Sequence, residues 1–348
     1  MTKTIPACWF SLACVLCAEP LKLSLPTENN HLFSGEPEKF YMYVDRIFEG
    51  ETTRPWEGGS FGYVRSPIRV GSHIVMSRFH EGIDIAPVKR DKAGNPLDLV
   101  MSIAEGTVAH TSSIAGQSNY GRYVVVGHDW EGSKVYSLYA HLAEITAKVG
   151  DAVEAGSVLG RMGYTGVGLD RTRAHMHLEL GMLMSENYQA WHDQNFGSAN
   201  HHGNFNGMNI SGVDVASFFL EQRKNPDLSF SEFVLSRPMQ FKVTVPAGSV
   251  EPEFLSRHPW MRRGGVPDPV SWEVGFAATG HVISFTPSSR KVGGPVVSHM
   301  RPSAIPQRWL TRGLLSGEGN ATTLSAGGRN LVSLVMDDFP GGKAAVPR

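Results

Sequence analysis

The segment RAHMHLEL (residues 173–180) places two histidines one residue apart within an apolar alternation. In a β-strand, residues i and i+2 point to the same side, so His175, His177 and Glu179 would share one face. In a helix, the two imidazoles would point about 200° apart. The alternation therefore predicts a half-buried strand with an apolar back and a polar front. The two histidines on that front are either a metal ligand with a helper or ordinary surface residues.

The surrounding region, from residue 61 to about 181, is dense in short alternating segments separated by turns. Residues 100–109 predict a hairpin that turns at Glu105 and Gly106, and further strands are predicted over 122–127, 135–142 and 149–162. Several short strands at close spacing are typical of an antiparallel β-sheet or sandwich. The predicted fold class is therefore mainly β.

Helix signals follow this region. Residues 182–207 have the composition of a loop, Asp214 then caps a helix that runs to about Arg223, and Ser229 begins a capping box before a second short helix. After residue 236, segments such as FKVTV, WEVGFA, GHVISFT and NLVSLVM predict strands of a second β-rich region. The expected organisation is a signal peptide (1–18), an N-terminal arm or linker (19–60), a catalytic domain (61–212, core 61–182), a helical connector (213–235) and a β-rich C-terminal region (236–348).

The first eighteen residues, MTKTIPACWFSLACVLCA, have the positive start, apolar run and small final residue of a secretory signal. We therefore expect an exported protein of the periplasm, cell envelope or extracellular space, with no membrane span in the mature chain. All three cysteines lie in this segment, so a metal site in the mature chain must use His, Asp or Glu. The chain has 32 Lys and Arg residues and 33 Asp and Glu residues. This balance lacks the excess of basic residues that is typical of proteins that bind nucleic acid.

Two further segments carry residues that suit a metal site. In RFHEGIDIAP, His80 and Asp84 lie on one face of an extended segment with Gly82 between them. An imidazole and a carboxylate together suit a divalent ion, above all Zn²⁺. In VYSLYAHL, His141 ends a strand that has an apolar back. Each of these segments alone is only weak evidence for a metal site.

Taken in order, these elements resemble the lysostaphin-type zinc metallopeptidases, whose domain is called the duplicated hybrid motif. The family pattern is H-x-G-x-D, then Y-A-H, then H-x-H, and this chain has HEGID (80–84), YAH (139–141) and HMH (175–177). The segments EGTV, NYGRYVVVGHD and VGDAVEAGSVLGRMGYTG between them are similar to the family's hairpins in order and spacing. The resemblance covers about residues 61–182.

The resemblance implies a role for each matching residue. His80, Asp84 and His177 would hold one zinc ion per chain, and His141 and His175 would be the catalytic histidines. Three protein ligands leave a fourth tetrahedral position for water, as hydrolytic zinc sites require. The implied function is a zinc-dependent metalloendopeptidase that cuts peptide bonds in peptidoglycan cross-links or stem peptides, in cell wall remodelling or lysis.

The chain departs from the family pattern at two places. The approach to H-x-H is LDRTRA (169–174), where the family usually has Thr-Gly-Pro or a similar sequence, and VKRDKAGNPLDLV (88–100) looks like an insertion. A non-catalytic protein that binds cell wall or regulates a hydrolase is the alternative function, and a carbohydrate-binding or adhesion protein is a third. His201 and His202 are expected to belong to a polar loop.

Overall fold

The computed structural model describes residues 20–44, 47–50, 54–248 and 250–341. The predicted signal peptide lies outside these described residues. In the described part of the chain, no helix combines the length and the apolar composition that crossing a membrane requires.

The strands are β1 (Gly62–Val70), β2 (His73–His80), β3 (Ile83–Ile85), β4 (Leu99–Met101), β5 (Gly106–Ser112), β6 (Tyr123–Trp130), β7 (Ser133–Ala140), β8 (Leu142–Ile145), β9 (Ala152–Val153), β10 (Val158–Met162), β11 (Met176–Leu183), β12 (Ile210–Gly212), β13 (Met239–Pro246), β14 (Ser271–Ala277), β15 (Val282–Ser288), β16 (Val296–Met300), β17 (Leu315–Ser316) and β18 (Thr323–Leu324). The α-helices are α1 (His31–Ser34), α2 (Pro37–Phe40), α3 (Tyr188–Asn195), α4 (Val215–Lys224), α5 (Phe230–Leu235), α6 (Glu253–Arg257), α7 (Gln307–Leu310) and α8 (Ala326–Val335). Short 3-10 helices span Pro55–Gly59, Gly203–Phe205, Gly207–Asn209, Pro259–Met261 and Gly319–Ala321.

The central sheet has the strand order β12-β11-β7-β6-β5-β9, and β3 pairs with β11 on the same side as β12. Its pairings are antiparallel, which confirms the predicted fold class. Residues 176–180 of RAHMHLEL lie in β11, and His175 lies just before the strand. The prediction of a half-buried strand was wrong, because every residue of β11 is buried. Leu178 and Leu180 pack into the main core, while the opposite face is buried against the polar side chains of the candidate site.

A smaller sheet, β4-β10-β8, packs beside the central one. The predicted hairpin over residues 100–109 is wrong, because β4 pairs with β10 whereas β5 pairs with β6 and β9. The segment between β4 and β5 crosses from one sheet to the other through the core. Ile103 in this segment is fully buried, and its N–H donates to the Tyr139 hydroxyl at 2.8 Å. Packing of this segment into the core therefore prevents the hairpin turn that the Glu105-Gly106 pair predicted.

The predicted helices after residue 213 are confirmed. Asp214 caps α4 by accepting from the N–H of Ser217, and Ser229 and Glu232 form the capping box of α5. The predicted loop 182–207 is wrong in part, because it includes the end of β11 and the helix α3. Tyr188, Trp191 and His192 are the buried residues of α3, and their i, i+3, i+4 spacing is helical.

The C-terminal region contains a four-stranded sheet with the order β15-β14-β13-β16, as its alternating segments predicted. NLVSLVM is an exception, because it lies mostly in α8 rather than in a strand. The Ser325 side chain caps this helix, and Gly328, Val332 and Val335 fall on its buried face at helical spacing. Buried residues of the C-terminal region belong to the same hydrophobic cluster as those of the central sheet.

The N-terminal arm follows β3 closely. The N–H of Met42 donates to the carbonyl of Asp84 at 2.8 Å, and the N–H of Ala86 donates to the carbonyl of Phe40 at 2.9 Å. Phe40 is fully buried in the main core. The arm thus supports the strand that carries one of the candidate ligands.

Candidate metal centre

Three of the predicted site residues converge on one point. His80 ends β2, Asp84 lies in β3 and His177 lies in β11, and one ligand atom of each lies within 4.8 Å of the other two. Asp84 and His177 are direct partners in the antiparallel pairing of β3 with β11. All three residues are buried.

Gly82 allows β3 to approach β11 at this point. A Cβ atom at position 82 would lie 2.2 Å from the carbonyl oxygen of Leu178, closer than real Cβ atoms come to backbone. The glycine of HEGID therefore makes room for the neighbouring strand, which brings Asp84 next to His177. The close approach of the two strands, rather than an unusual backbone angle, explains why glycine stands between the two candidate ligands His80 and Asp84.

Each histidine of the trio is held through the ring nitrogen that points away from the centre. Nδ1 of His80 donates to the carbonyl of Ser60 at 2.8 Å, and Nε2 of His177 donates to Oε1 of Glu179 at 2.9 Å. The remaining nitrogens face each other, with Nε2 of His80 lying 3.2 Å from Nδ1 of His177. These anchors leave one lone pair per ring for a metal ion.

Asp84 supplies the negative charge of the centre. Its Oδ1 lies 3.1 Å from Nε2 of His80 and 3.0 Å from Nδ1 of His177, while Oδ2 accepts from the guanidinium of Arg65 at 2.5 Å. Burial opposes ionisation, but the neighbouring histidines outweigh it and hold the pKa of Asp84 well below its usual range. One oxygen of an ionised carboxylate therefore faces the two imidazoles.

Two carboxylates beside His177 favour the protonated form of its ring when no cation is bound. Burial disfavours the charged ring, yet hydrogen bonds to Asp84 and Glu179 outweigh it and raise the pKa of His177 to about 10. A cation bound at Nδ1 competes with that proton, so metal binding would release protons. For His80, burial dominates and lowers the pKa despite the nearby Asp84, which favours the neutral form that metals bind.

The two predicted catalytic histidines lie beside the trio. The rings of His141 and His175 contact each other edge to face with centroids 4.7 Å apart, and Nε2 of His175 lies 3.3 Å from Oδ1 of Asp84. Nδ1 of His141 donates to the carbonyl of Thr165 at 2.9 Å, and Nδ1 of His175 donates to the carbonyl of Arg173 at 2.7 Å. Both rings therefore present Nε2 to the centre.

His141 occupies an unusual backbone position. It lies between β7 and β8, where the chain passes from the central sheet to the smaller one, and its φ of 64° is left-handed. Burial, together with the nearby rings of His175 and His177, lowers the pKa of His141 well below its usual range. The ring is consequently neutral near pH 7 and able to accept a proton.

Residues 78–189 match the model of Peptidase family M23, and this stretch includes all five predicted site residues. Over this stretch the chain is similar to M23 peptidases. The resemblance to lysostaphin-type peptidases in the sequence is thereby confirmed. No curated protein matches the chain.

Solved structures of M23 proteins are similar to parts of the chain. The catalytic domain of lysostaphin from Staphylococcus simulans is 20% identical, covers 49% of this chain and 99% of its own, and has a TM-score of 0.29. The catalytic domain of the prophage-encoded M23 protein EnpA from Enterococcus faecalis is 22% identical, with coverages of 40% and 87% and a TM-score of 0.25. A zinc-containing peptidase from Vibrio cholerae is 25% identical, with coverages of 41% and 36% and a TM-score of 0.25. The similarity to Peptidase family M23 therefore rests on the sequence match over residues 78–189.

Two residues within the matched stretch, neither of which the sequence alone gave a role, support the candidate ligand His177. Glu179 is buried, and its Oε1 accepts from Nε2 of His177 at 2.9 Å and from the Tyr120 hydroxyl at 2.6 Å. Burial opposes ionisation of Glu179, but the hydrogen bond from His177 outweighs it and lowers the pKa of Glu179. The shared strand face of His177 and Glu179 was visible in the sequence, whereas Tyr120 reaches the site only through tertiary folding.

Replacing Glu179 by glutamine is expected to weaken zinc binding by about 10–100-fold, the usual effect of losing a carboxylate behind a ligating histidine. The amide keeps the shape of the side chain but removes the charge that fixes the His177 ring. Calorimetric titration with zinc measures the change, and Glu154→Gln is the matched control because Glu154 is exposed. Equal zinc affinity in Glu179→Gln and the wild type would contradict this role.

The centre opens into a groove with a volume of about 650 Å³. In addition to the five site residues, its lining includes Arg65, Glu81, Tyr120, Arg173, His202 and Arg312. His201 and His202 lie in a loop, as expected, and His202 is half-buried with its Nδ1 2.8 Å from the Tyr123 hydroxyl. None of the described arm residues before 61 lines the groove.

Proposed function

We propose that the chain is an exported, zinc-dependent metalloendopeptidase that hydrolyses peptide bonds in peptidoglycan cross-links or stem peptides. The main support is the convergence of His80, Asp84 and His177 on one point beside His141 and His175, at the floor of an open groove. The M23 match supports peptidase chemistry at this place in the chain. A role in remodelling or lysing the cell wall follows from the substrate.

The donor set fits zinc. Two imidazole nitrogens and one carboxylate oxygen, all buried and oriented by hydrogen bonds, are ligands of a hydrolytic zinc site, and three of them leave room for a fourth. One zinc ion bound there would supply the Lewis acidity that makes water a nucleophile at neutral pH and polarises a carbonyl. Arg65 would keep the second oxygen of Asp84 away from the ion.

His141 and His175 are proposed to move the protons. His141 is neutral and presents Nε2, so it can accept a proton from water and return it to the leaving amine. His175 also presents Nε2 and, once protonated, would stabilise negative charge that develops on the scissile carbonyl oxygen. The anchors on Nδ1 hold both rings in position during these transfers.

Export and the domain boundaries belong to the same proposal. Export is supported by the signal-like residues 1–18, and N-terminal sequencing of protein recovered outside the cytoplasm tests it. We assign residues 61–212 to the catalytic domain, 213–235 to a helical connector and 236–348 to the C-terminal region. The arm before residue 61 supports β3 and leaves the groove open along its described part.

Purified mature protein loaded with zinc is expected to release new peptide amino termini from isolated peptidoglycan sacculi. Chelator treatment should stop the release, and added zinc should restore it, because the ligand trio loses its ion and regains it. Mass spectrometry of the released fragments identifies the cleaved bond. A protein that holds zinc but releases no new termini would instead favour a non-catalytic cell-wall-binding or hydrolase-regulating protein.

A further inference from the structure

We propose that the guanidinium of Arg173 binds a carboxylate group of the substrate peptide beside the metal centre, so that the enzyme selects anionic peptides. This inference rests on the proposed peptidase function and deepens it. Arg173 belongs to the segment LDRTRA, where the chain departs from the family pattern of Thr-Gly-Pro or a similar sequence. None of those three residue types carries a charge, so the departure adds a cation to the groove.

The backbone of Arg173 is held at both of its polar groups. Its N–H donates to Oδ1 of Asp170 at 3.0 Å, and its carbonyl accepts from Nδ1 of His175 at 2.7 Å. This geometry ties the residue directly to a proposed catalytic histidine. The Arg173 side chain lines the groove and is half-buried. A substrate group that contacts it would therefore lie close to the reacting bond.

The other charged groups of the groove already have partners. Asp84 pairs with Arg65, Glu81 pairs with Arg312 at 3.1 Å, and Glu179 pairs with His177. Arg173 differs, because its guanidinium makes no hydrogen bond or ion pair with any residue in the described part of the chain. A half-buried guanidinium without a counter-charge has lost part of its hydration without compensation.

A carboxylate is the group that best compensates this cation. Guanidinium and carboxylate form two parallel charge-assisted hydrogen bonds, which give both strength and orientation. Peptides supply carboxylates from acidic side chains and from free carboxyl termini. A zinc ion at the centre would add further positive charge to the same groove. The geometry thus selects a peptide that carries a carboxylate near the scissile bond.

The C-terminal region assists this selection through Arg312. This residue lies outside the M23 match, in the turn between α7 and β17, yet its guanidinium stacks 4.3 Å from the centroid of the Phe79 ring and pairs with Glu81. By neutralising Glu81, Arg312 removes a charge that would repel a substrate carboxylate. The C-terminal region therefore contributes to the electrostatics of the groove.

The test compares muropeptide dimers in two forms: untreated, and with their free carboxyl groups converted to carboxamides. The zinc-loaded wild type should cleave the untreated form with a kcat/KM about 10–100-fold higher, the factor expected for losing one charged hydrogen-bonded pair. Arg173→Gln should lower kcat/KM for the untreated form by that factor and remove the difference between the two forms. Arg171→Gln is the matched control, because Arg171 lies on the same loop, is exposed and does not line the groove.

Three further measurements separate this inference from the proposed function. Zinc content and thermal unfolding confirm that Arg173→Gln is folded and loaded with zinc. Calorimetry then measures the binding of both muropeptide forms to the inactive His141→Ala protein and to the same protein that also carries Arg173→Gln. Equal cleavage of both forms by the wild type, or an equal loss on both forms in Arg173→Gln, would overturn the carboxylate site and leave the peptidase function standing. Absence of cleavage with tighter, Arg173-dependent binding of the untreated form would reject the peptidase and support the site. Neither cleavage nor a difference in binding would reject both.

Discussion

Asp84→Ala is expected to lose stoichiometric zinc, whereas the wild-type mature chain should hold about one zinc ion per chain. Asp84 supplies the carboxylate of the candidate trio, and its Oδ1 lies within 3.1 Å of the ring nitrogens of both His80 and His177. Without it, two imidazoles remain to hold a dication whose charge is not neutralised. Metal analysis of dialysed protein measures the difference. Equal zinc contents in the variant and the wild type would remove the proposed site.

Two further variants guard against loss of folding in this experiment. Removing Asp84 leaves Arg65 and three buried histidines without their shared counter-charge, so Asp84→Ala will also lower the free energy of unfolding. Asp84→Asn retains the side-chain shape and should bind zinc more weakly than the wild type while remaining folded. Asp129→Ala is the matched control, because Asp129 is an exposed aspartate in β6 and should leave the zinc content unchanged.

His141→Ala is expected to retain zinc and to lose about 10²–10⁴-fold in the rate of peptide release, the range that one general acid–base residue contributes. His141 is not part of the trio, but its ring lies against His175, with Nδ1 tied to Thr165 and Nε2 free for proton transfer. The release of new amino termini from sacculi and the zinc content are measured on the same preparation.

His73→Ala is the control for this experiment, because His73 is an exposed histidine in β2, the strand that ends at His80. It should behave like the wild type in both measurements. Undiminished release by His141→Ala would exclude His141 from the chemistry. Loss of zinc together with activity would instead assign His141 to the metal ligands.

Local patterns explain why much of the fold was predictable. Alternation in RAHMHLEL and VYSLYAHL predicted strands, and the capping residues Asp214 and Ser229 predicted α4 and α5, because these signals act within a few residues. The M23 resemblance was also visible, because its motifs are short and keep their order along the chain.

The errors arose where distant residues decide the local structure. NLVSLVM has an apolar composition that suits a strand, yet helical packing of α8 against the core prevails. Residues 100–109 carry a turn signal, yet burial of Ile103 between two sheets separates β4 from β5. In both places, packing in the hydrophobic core determined the secondary structure. Sequence periodicity over a short window could not predict it, because it carries no information on contacts with distant residues.

The two histidines of RAHMHLEL show the same division between local and distant causes. Their parity alone placed both on one face of a strand. Tertiary contacts then gave them different orientations, since His175 is anchored through Nδ1 by the Arg173 carbonyl and His177 through Nε2 by Glu179. Opposite ring nitrogens consequently face the centre.

By itself, the sequence determined the residue types of the site, their strand parity and their order, because these depend on backbone periodicity and on motifs that lie close together in the chain. Only the tertiary structure decided which ring nitrogen each histidine presents and which charges remain unpaired. It also placed Tyr120 behind Glu179 and brought Arg312 from the C-terminal region to the groove. Hydrogen bonds and ion pairs between residues far apart in the chain form only when folding brings them within about 3 Å of each other.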